Sequence, residues 1–301
     1  MNRTASPAAA AASAMRDFSR DHRFLSINTA TVRKQGDLLA IIDACARAEI
    51  RAISPWRDQV AALGLDRAVA AVKAAGLELS GYCRGGMFPS DAAHLKDMRD
   101  DNRRAVDEAK ALGAPCLVLV VGGLPQYSRP GSAPSKDLGA ARAMVEDGIG
   151  ELLDYARSVG MPLAIEPLHP MYAADRACVN TLGQALDICD RLDPGRSGFL
   201  GVACDVYHLW WDPDLFAGIA RAGRERMLAY HVCDWLVPTR DLLLDRGMMG
   251  DGVIDLKPIR AAVEAVGYAG YAEVEIFSED WWARPMDEVL ATCIARHRST
   301  V

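Results

Sequence analysis

The stretch that decides the fold class of this chain reads Pro-Leu-Ala-Ile-Glu-Pro-Leu-His, from Pro162 to His169. Gly160 precedes it and is expected to end a helix, because glycine readily adopts the left-handed conformation found at helix C-termini. The apolar residues 163–165 are too few for a helix but suit a short buried strand of a parallel sheet. Glu166 stands near the end of this predicted strand, which places a polar group at the carboxyl end.

Seven further segments of this kind flank the first, and longer segments with the 3.6-residue apolar period of helices lie between them. The eight predicted strands span residues 24–32, 50–56, 77–83, 116–121, 162–167, 199–207, 227–233 and 271–277. The turn after the first strand lacks the Gly-x-Gly-x-x-Gly pattern of a dinucleotide-binding sheet. We therefore predict a single-domain α/β protein, a (β/α)₈ TIM barrel over residues 23–301, preceded by a flexible N-terminal tail at residues 1–22.

Composition and charge exclude several functional classes. Of the 301 residues, 50% are hydrophobic and 25% charged, which is the balance of an ordinary globular domain. The net charge of −6 provides no electrostatic attraction for nucleic acids or anionic membranes. No apolar run reaches the roughly 18 residues of a membrane span. Eight cysteines without a Cys-x-x-Cys pair indicate buried, reduced thiols and a cytoplasmic location.

Four polar residues end four successive predicted strands: Glu166, Asp205, His231 and Glu275. Their spacings of 39, 26 and 44 residues are each about one strand–helix repeat, so barrel closure brings all four to one rim. Strand alternation places them on the inward face with Ala164, Ala203 and Ala229, while Ile165, Val206 and Val232 point toward the helices. Three carboxylates and one imidazole predict a divalent metal site, with Mn²⁺ preferred and Mg²⁺, Co²⁺ or Zn²⁺ as alternatives.

From residue 23 to residue 297 the chain resembles the xylose isomerase-like TIM-barrel superfamily of sugar phosphate isomerases and epimerases. The most specific matches are residues 165–169, 204–208, 231–235, 246–255 and 273–277. In the ketose 3-epimerases of this group, a Glu, an Asp, a His and a Glu hold the metal, which implies the same role for the four residues above. The resemblance also implies that His208 binds substrate. The sequence His-Pro-Met-Tyr at 169–172 departs from the epimerase pattern and leaves the substrate open.

The superfamily also contains abasic-site endonucleases, whose trinuclear site requires additional histidines. The chain has six histidines, and the second and third predicted strands end in Ile-Ser-Pro-Trp and Gly-Tyr-Cys-Arg, which offer no such ligand. Where the nucleases have Asp-Arg-His, this chain reads Asp-Arg-Gly at 245–247. We therefore do not expect a DNA-repair activity.

Other residues near strand ends are candidates for the substrate pocket. All six tryptophans lie at or just after a strand end, which predicts an aromatic wall, and Trp56, Trp235, His169 and Tyr172 are the expected substrate contacts. Loops 122–135 and 235–253 are long enough to cover the same rim. Glu273 is expected deeper in the barrel as the partner of an Arg or Lys. Asp234 either orients His231 or begins a loop.

The function that these residues predict is a metal-dependent isomerase or epimerase of a sugar or keto acid. Glu166 and Glu275 are the expected catalytic pair, transferring a proton through an enediolate. A lyase, dehydratase or deglycosidase acting on a 3-keto sugar at the same metal site is the alternative, and a non-catalytic sugar-binding barrel is a third. The partner is a small carbohydrate. No Arg/Lys cluster identifies a phosphate site, which favours a non-phosphorylated substrate. The oligomeric state stays open, with a homo-oligomer among the options.

Overall fold

A computed structural model describes residues 15–125 and 135–301 of the chain. Its strands are β1 (Leu25–Asn28), β2 (Ala52–Ser54), β3 (Glu78–Leu79), β4 (Tyr82–Gly86), β5 (Leu117–Val120), β6 (Leu163–Ile165), β7 (Leu200–Asp205), β8 (Met227–Val232), β9 (Asp234–Trp235), β10 (Arg246–Gly247) and β11 (Ala272–Val274). Its helices are α1 (Leu38–Arg47), α2 (Arg57–Leu63), α3 (Leu65–Ala74), α4 (Leu95–Leu112), α5 (Leu138–Val159), α6 (Leu182–Leu192), α7 (Val206–Leu209), α8 (Leu215–Arg226), α9 (Leu256–Ala265), α10 (Glu279–Trp282) and α11 (Met286–Thr300).

Nine of these strands form one parallel sheet in the order β3-β2-β1-β11-β8-β7-β6-β5-β4. The first strand, β1, pairs with both β2 and β11, so the sheet curls into a barrel. A bridge between Trp56, which follows β2, and Cys83 of β4 connects the two ends of the sheet. The predicted TIM barrel is therefore confirmed. β9 and β10 form a separate antiparallel pair beyond the end of β8.

The prediction of the third strand, residues 77–83, needs correction. It divides into β3 and β4 because the chain changes partner at residues 80–81, from β2 on one side to β5 on the other. The second part continues to Gly86, three residues beyond the predicted end. The first predicted strand is also shorter than expected, since residues 29–32 form a 3-10 helix.

The helices begin and end at the residue types that the sequence offers for these positions. Asp37, Asp137 and Thr181 accept backbone hydrogen bonds at the N-termini of α1, α5 and α6. Gly113 and Gly160 end α4 and α5 in the left-handed conformation, with φ of 77° and 73°. None of the described helices has the length and apolar character needed to cross a membrane.

Apolar side chains pack on both faces of the barrel sheet, inside the barrel and between the strands and the surrounding helices. Small side chains fill the interior, including Ala164, Ala203 and Ala229. The larger Ile165, Val206 and Val232 belong to the layer between strands and helices, which confirms the predicted alternation. All eight cysteines are buried and unpaired.

Residues 15–22 meet the C-terminal helix at the side of the barrel opposite the strand carboxyl ends. Residues 15–22, which the sequence places in the flexible tail, pack against α9 and α11. Phe18 is buried and stacks on His297 with ring centres 4.3 Å apart. Arg16 Nε donates to Glu264 Oε1 at 2.9 Å. The packed part of the chain therefore begins before the predicted boundary at residue 23.

Candidate metal centre

Four side chains meet at the carboxyl ends of β6, β7, β8 and β11. Glu166 follows β6 and Glu275 follows β11, while Asp205 ends β7 and His231 lies one residue from the end of β8. One ligand atom of each residue lies within 4.8 Å of the others, and all four side chains are buried. In the β7–β8 register, Asp205 and His231 are directly opposite each other. The structure thus brings together the four residues singled out as metal ligands.

With its three carboxylates ionised and its imidazole neutral, the cluster carries more negative than positive charge. Arg246 Nη1 donates to Glu275 Oε2 at 2.9 Å and to Asp205 Oδ2 at 3.2 Å, which offsets part of the charge of three buried carboxylates. Burial, together with repulsion from Glu166, raises the pKa of Glu275 to about 8 despite Arg246. Burial alone would raise the pKa of Asp205, but His208 and Arg246 lower it.

The imidazole of His231 bridges two carboxylates. Its Nδ1 lies 2.9 Å from Glu166 Oε1, whereas its Nε2 lies 3.6 Å from Glu273 Oε1 and has no hydrogen-bond partner among the described residues. Burial favours the neutral ring, yet Glu273 and Glu166 raise the pKa of His231 well above its ordinary value. A divalent cation would supply the missing positive charge, so the donor set and its charge fit such an ion.

Glu273 is buried in the barrel as expected, but the prediction of an Arg or Lys partner is wrong. Its carboxylate accepts hydrogen bonds from Asn28 Nδ2 at 2.8 Å and Ser80 Oγ at 2.7 Å. Neutral donors suffice here because His231 faces the same carboxylate. Asn28 Nδ2 also donates to Glu275 Oε1 at 3.0 Å, so one amide holds two carboxylates of the site.

Three residues of the site were missed in the sequence: Asn28, Ser80 and Arg246. Asn28 ends β1 and Ser80 lies between β3 and β4, and nothing in their local sequence indicates the contact. The sequence did mark Arg246, which begins a glycine-rich segment at 246–252. Arg246 lies in β10, which pairs with β9, and its guanidinium lies over the Tyr207 ring, 4.4 Å from the ring centre.

His208 and His169 lie together beside the cluster. His208 Nδ1 accepts from the His169 backbone N–H at 3.2 Å, and its Nε2 lies 3.2 Å from Arg246 Nη2. Burial lowers the pKa of His208 to about 3, so the ring is neutral near pH 7. The structure therefore places the His208 ring where a neutral polar group can contact a molecule bound at the cluster.

The expected aromatic contacts occupy two sides of the site. On one side Trp235 stacks on His169 with ring centres 5.0 Å apart, and Tyr172 lies 6.0 Å from His208. On the other side Trp56 Nε1 donates to Asn28 Oδ1 at 2.7 Å. Aromatic faces on two sides of a polar cluster suit the C–H face of a carbohydrate.

The loop at 235–253 is fixed by its own hydrogen bonds. Asp234 Oδ1 accepts from the backbone N–H of Trp235 and Ile254, and Oδ2 accepts from that of Gly250. Asp234 therefore shapes this loop rather than orienting His231. The loop at 122–135 lies mostly outside the described residues, which omit 126–134.

Comparison with known proteins gives the following matches. A family model described as xylose isomerase-like TIM barrel matches residues 42–295. The crystal structure of protein SMc04130 from Sinorhizobium meliloti 1021 is 61% identical, with a TM-score of 0.87 over 92% of this chain and 98% of that chain. A structure of the IOLI protein with a bound zinc atom is 19% identical, with a TM-score of 0.74 over 89% of this chain and 94% of that one, and shows a common fold.

Among curated proteins, the inosose isomerase of Halalkalibacterium halodurans is 25% identical over 209 residues, which are 67% of this chain and 67% of that protein. Inosose isomerases of Bacillus subtilis, Bacillus velezensis and Bacillus licheniformis are 26–28% identical over 47–48% of this chain. These three matches span about half of the relatives' own length, 49–51%.

Proposed function

The chain belongs to the xylose isomerase-like TIM-barrel family, and on this premise we propose that it is a metal-dependent isomerase or epimerase of a small sugar or keto acid. The observation that carries the proposal is the convergence of four buried ligand atoms within 4.8 Å at the barrel mouth. Matches to proteins named inosose isomerase support the same class of reaction.

Glu166, Asp205, His231 and Glu275 would hold one divalent cation. Three carboxylates favour Mn²⁺ as the native ion, while the zinc-bound relative supports Zn²⁺ as an alternative. A cation held there would supply Lewis-acid chemistry, offsetting the negative charge that develops on the substrate. Because this chemistry needs water excluded, the burial of all four side chains supports it.

The two glutamates transfer the proton. Glu166 and Glu275 stand on strands separated by β7 and β8, so they flank a substrate from two sides. One removes the proton from the carbon beside the carbonyl and the other returns it. His208 and Arg246 hold substrate oxygens, since both polar ends face the cluster. Eight unpaired, buried cysteines support a cytoplasmic location, where thiols stay reduced.

The proposal is tested by metal content and by isotope exchange. Purified protein is expected to carry about one divalent ion per chain, and turnover of ketoses and keto acids in deuterated water is expected to place deuterium beside the carbonyl. Glu166→Gln and Glu275→Gln keep the side-chain shape but lose the base, so exchange falls by roughly 10²–10⁴-fold. Glu146→Gln is the control, because Glu146 is a surface partner of Arg191.

Two outcomes would contradict the proposal. A protein that turns over substrate equally well after complete metal removal does not use the cluster as proposed. Retention of the substrate hydrogen by an active enzyme indicates a hydride shift and removes the proton-transfer roles of both glutamates.

A second candidate is a lyase, dehydratase or deglycosidase that acts on a 3-keto sugar through the same enediolate. The aromatic group around Trp235, which includes His169, Tyr207 and Trp210, favours it because such a group suits a bulkier substrate. Release of water or of an aglycone distinguishes this reaction from isomerisation.

A further inference from the structure

A second polar region lies beside the metal centre, at the carboxyl ends of β2 and β4. It is a cavity of about 420 Å³, a size that suits a small ligand. Among its lining residues are three arginines from separate parts of the chain, Arg33, Arg57 and Arg84. The sequence offered no cluster of this kind, because these residues come together only when the barrel forms.

Two of the three arginines already have carboxylate partners. Arg33 pairs with Asp58, and Arg57 pairs with Asp101 at 2.9 Å and with Glu108 at 2.8 Å. These ion pairs leave no unpaired positive charge on Arg33 or Arg57 for a ligand.

Arg84 differs from its neighbours because no described residue forms an ion pair, hydrogen bond or ring contact with its guanidinium. The side chain is partly buried. Burial, together with repulsion from Arg176 and Arg57, lowers the pKa of Arg84. A partly buried cation without an ion-pair partner is free to pair with an anion in the cavity, and its partial burial strengthens that attraction.

Two residues that line the cavity also contact a residue of the metal centre. Cys83 and Trp56 line the cavity, and both contact Asn28, whose side chain also donates to Glu275. Glu275 and Glu166 contribute, after burial, to the raised pKa of the Cys83 thiol, which reflects their proximity. A molecule bound at the metal centre can therefore extend toward Arg84.

We propose that Arg84 binds a carboxylate group of the substrate, so that the enzyme acts on a sugar acid or polyhydroxylated keto acid rather than a neutral sugar. The inference rests on the proposed function for the reacting end of the substrate. A single unpaired guanidinium matches the single charge of a carboxylate and can bind it through two parallel hydrogen bonds. A phosphate dianion would leave one charge without a partner.

The test uses three unreactive compounds with related six-carbon skeletons: gluconate, sorbitol and sorbitol 6-phosphate. Their binding is measured by calorimetry on the metal-loaded protein and on EDTA-treated protein. We expect gluconate to bind more tightly than sorbitol in both forms. Arg84→Gln is expected to weaken gluconate binding by about 10- to 100-fold, as expected for loss of a charge-assisted hydrogen bond, and to leave sorbitol binding unchanged.

Two further variants control the experiment. Arg84→Lys keeps the charge but not the paired hydrogen bonds, so an intermediate loss is expected. Arg47→Gln removes an exposed arginine at the far end of α1 and is expected to leave the affinity for gluconate unchanged. Because Arg84 has no described partner, its replacement is expected to leave the melting temperature near that of the unaltered protein.

The outcomes separate this inference from the proposed function. Equal gluconate affinity in the unaltered protein and Arg84→Gln overturns the inference, and so does tighter, Arg84-dependent binding of sorbitol 6-phosphate. If a neutral ketose undergoes deuterium exchange at a rate that Arg84→Gln does not change, the inference fails while the proposed function stands. If gluconate binding depends on Arg84 but neither ketoses nor keto acids exchange, the proposed function fails instead.

Discussion

Glu273 shows how one buried carboxylate can act on the metal centre without being a ligand. His231 presents Nδ1 to Glu166 and Nε2 to Glu273, so a cation at the Nδ1 side leaves the Nε2–H facing Glu273. A carboxylate in this position raises the basicity of the ring through its charge. The affinity of His231 for a cation therefore depends on a residue one layer deeper in the barrel.

Replacement of this carboxylate gives a direct test. Glu273→Gln is expected to weaken the affinity of EDTA-treated protein for Zn²⁺ or Mn²⁺ by about 10- to 100-fold, as found for residues that orient metal-binding histidines. Titration with each metal measures the effect. Ser80→Ala is the control, because it removes one hydrogen bond from Glu273 and keeps the charge. Similar metal affinities for Glu273→Gln and the unaltered protein would show that Glu273 only fills the barrel.

At this scale, the chemistry of a residue decides whether the sequence can indicate its role. Glu166 and His231 were predicted because a charged or imidazole side chain at the end of an apolar strand is unusual and its spacing can be counted. Asn28 was not, because an amide at a strand end is compatible with many neighbours. Its role follows only from the contact with Glu273 and Glu275, which lie about 245 residues away in the chain.

Among the elements, the loop at 235–253 is held over the site by two tyrosines from different strand ends. The hydroxyl groups of Tyr172 and Tyr207 both donate to the Leu242 carbonyl, at 2.5 Å and 2.9 Å. The Leu242 side chain is itself exposed, so these bonds, rather than apolar packing at this residue, position the loop tip.

The double variant Tyr172→Phe/Tyr207→Phe is expected to loosen this loop. Amide hydrogen exchange in residues 236–245 should become faster, while the melting temperature falls little, because each hydrogen bond contributes about 1 kcal/mol. Hydrogen-exchange mass spectrometry measures the effect. Tyr155→Phe serves as the control, since its hydroxyl contacts Asp107 on the outer helices. Unchanged exchange at 236–245 would show that other contacts hold the loop.

The sequence predicts a strand or helix accurately where a local pattern of apolar and polar residues determines it. The strands around β6, β7 and β8 were found because apolar runs between glycine and polar residues have few alternative structures. The division of the third strand into β3 and β4 was missed, because it depends on a change of pairing partner. Packing of residues 15–22 was missed as well, since the cavity that receives Phe18 is formed by α9 and α11.

For the whole molecule, the contact between Phe18 and the C-terminal helix affects stability in acid. The His297 ring is fully buried against Phe18, and neither ring nitrogen has a hydrogen-bond partner among the described residues. Burial, with repulsion from Arg260 and His22, lowers the pKa of His297 to about 3. In the unfolded chain the pKa of a histidine is about 6.5. The unfolded state therefore binds one more proton than the folded state between these pH values, and stability falls as the pH drops.

His297→Phe keeps the stacked ring and removes the titrating group. Below pH 6, the unaltered protein is expected to lose about 1.4 kcal/mol more unfolding free energy per pH unit than the variant. Urea unfolding of both EDTA-treated proteins between pH 6.5 and 4.5 measures the difference. His94→Gln, which replaces an exposed histidine paired with Asp91, is the control. Parallel pH profiles for His297→Phe and the unaltered protein would contradict the assignment.

The burial of all eight cysteines also determines how fast the protein is oxidised during storage. In the native molecule no thiol is accessible, so oxidants and alkylating reagents act at the rate of conformational opening rather than at the rate of thiol chemistry. A molecule that opens fully exposes eight thiols at once, and cross-linking between them then competes with refolding. Loss of this fold in an oxidising solution is therefore expected to be irreversible, and shelf life depends on the redox state of the solution as much as on its temperature.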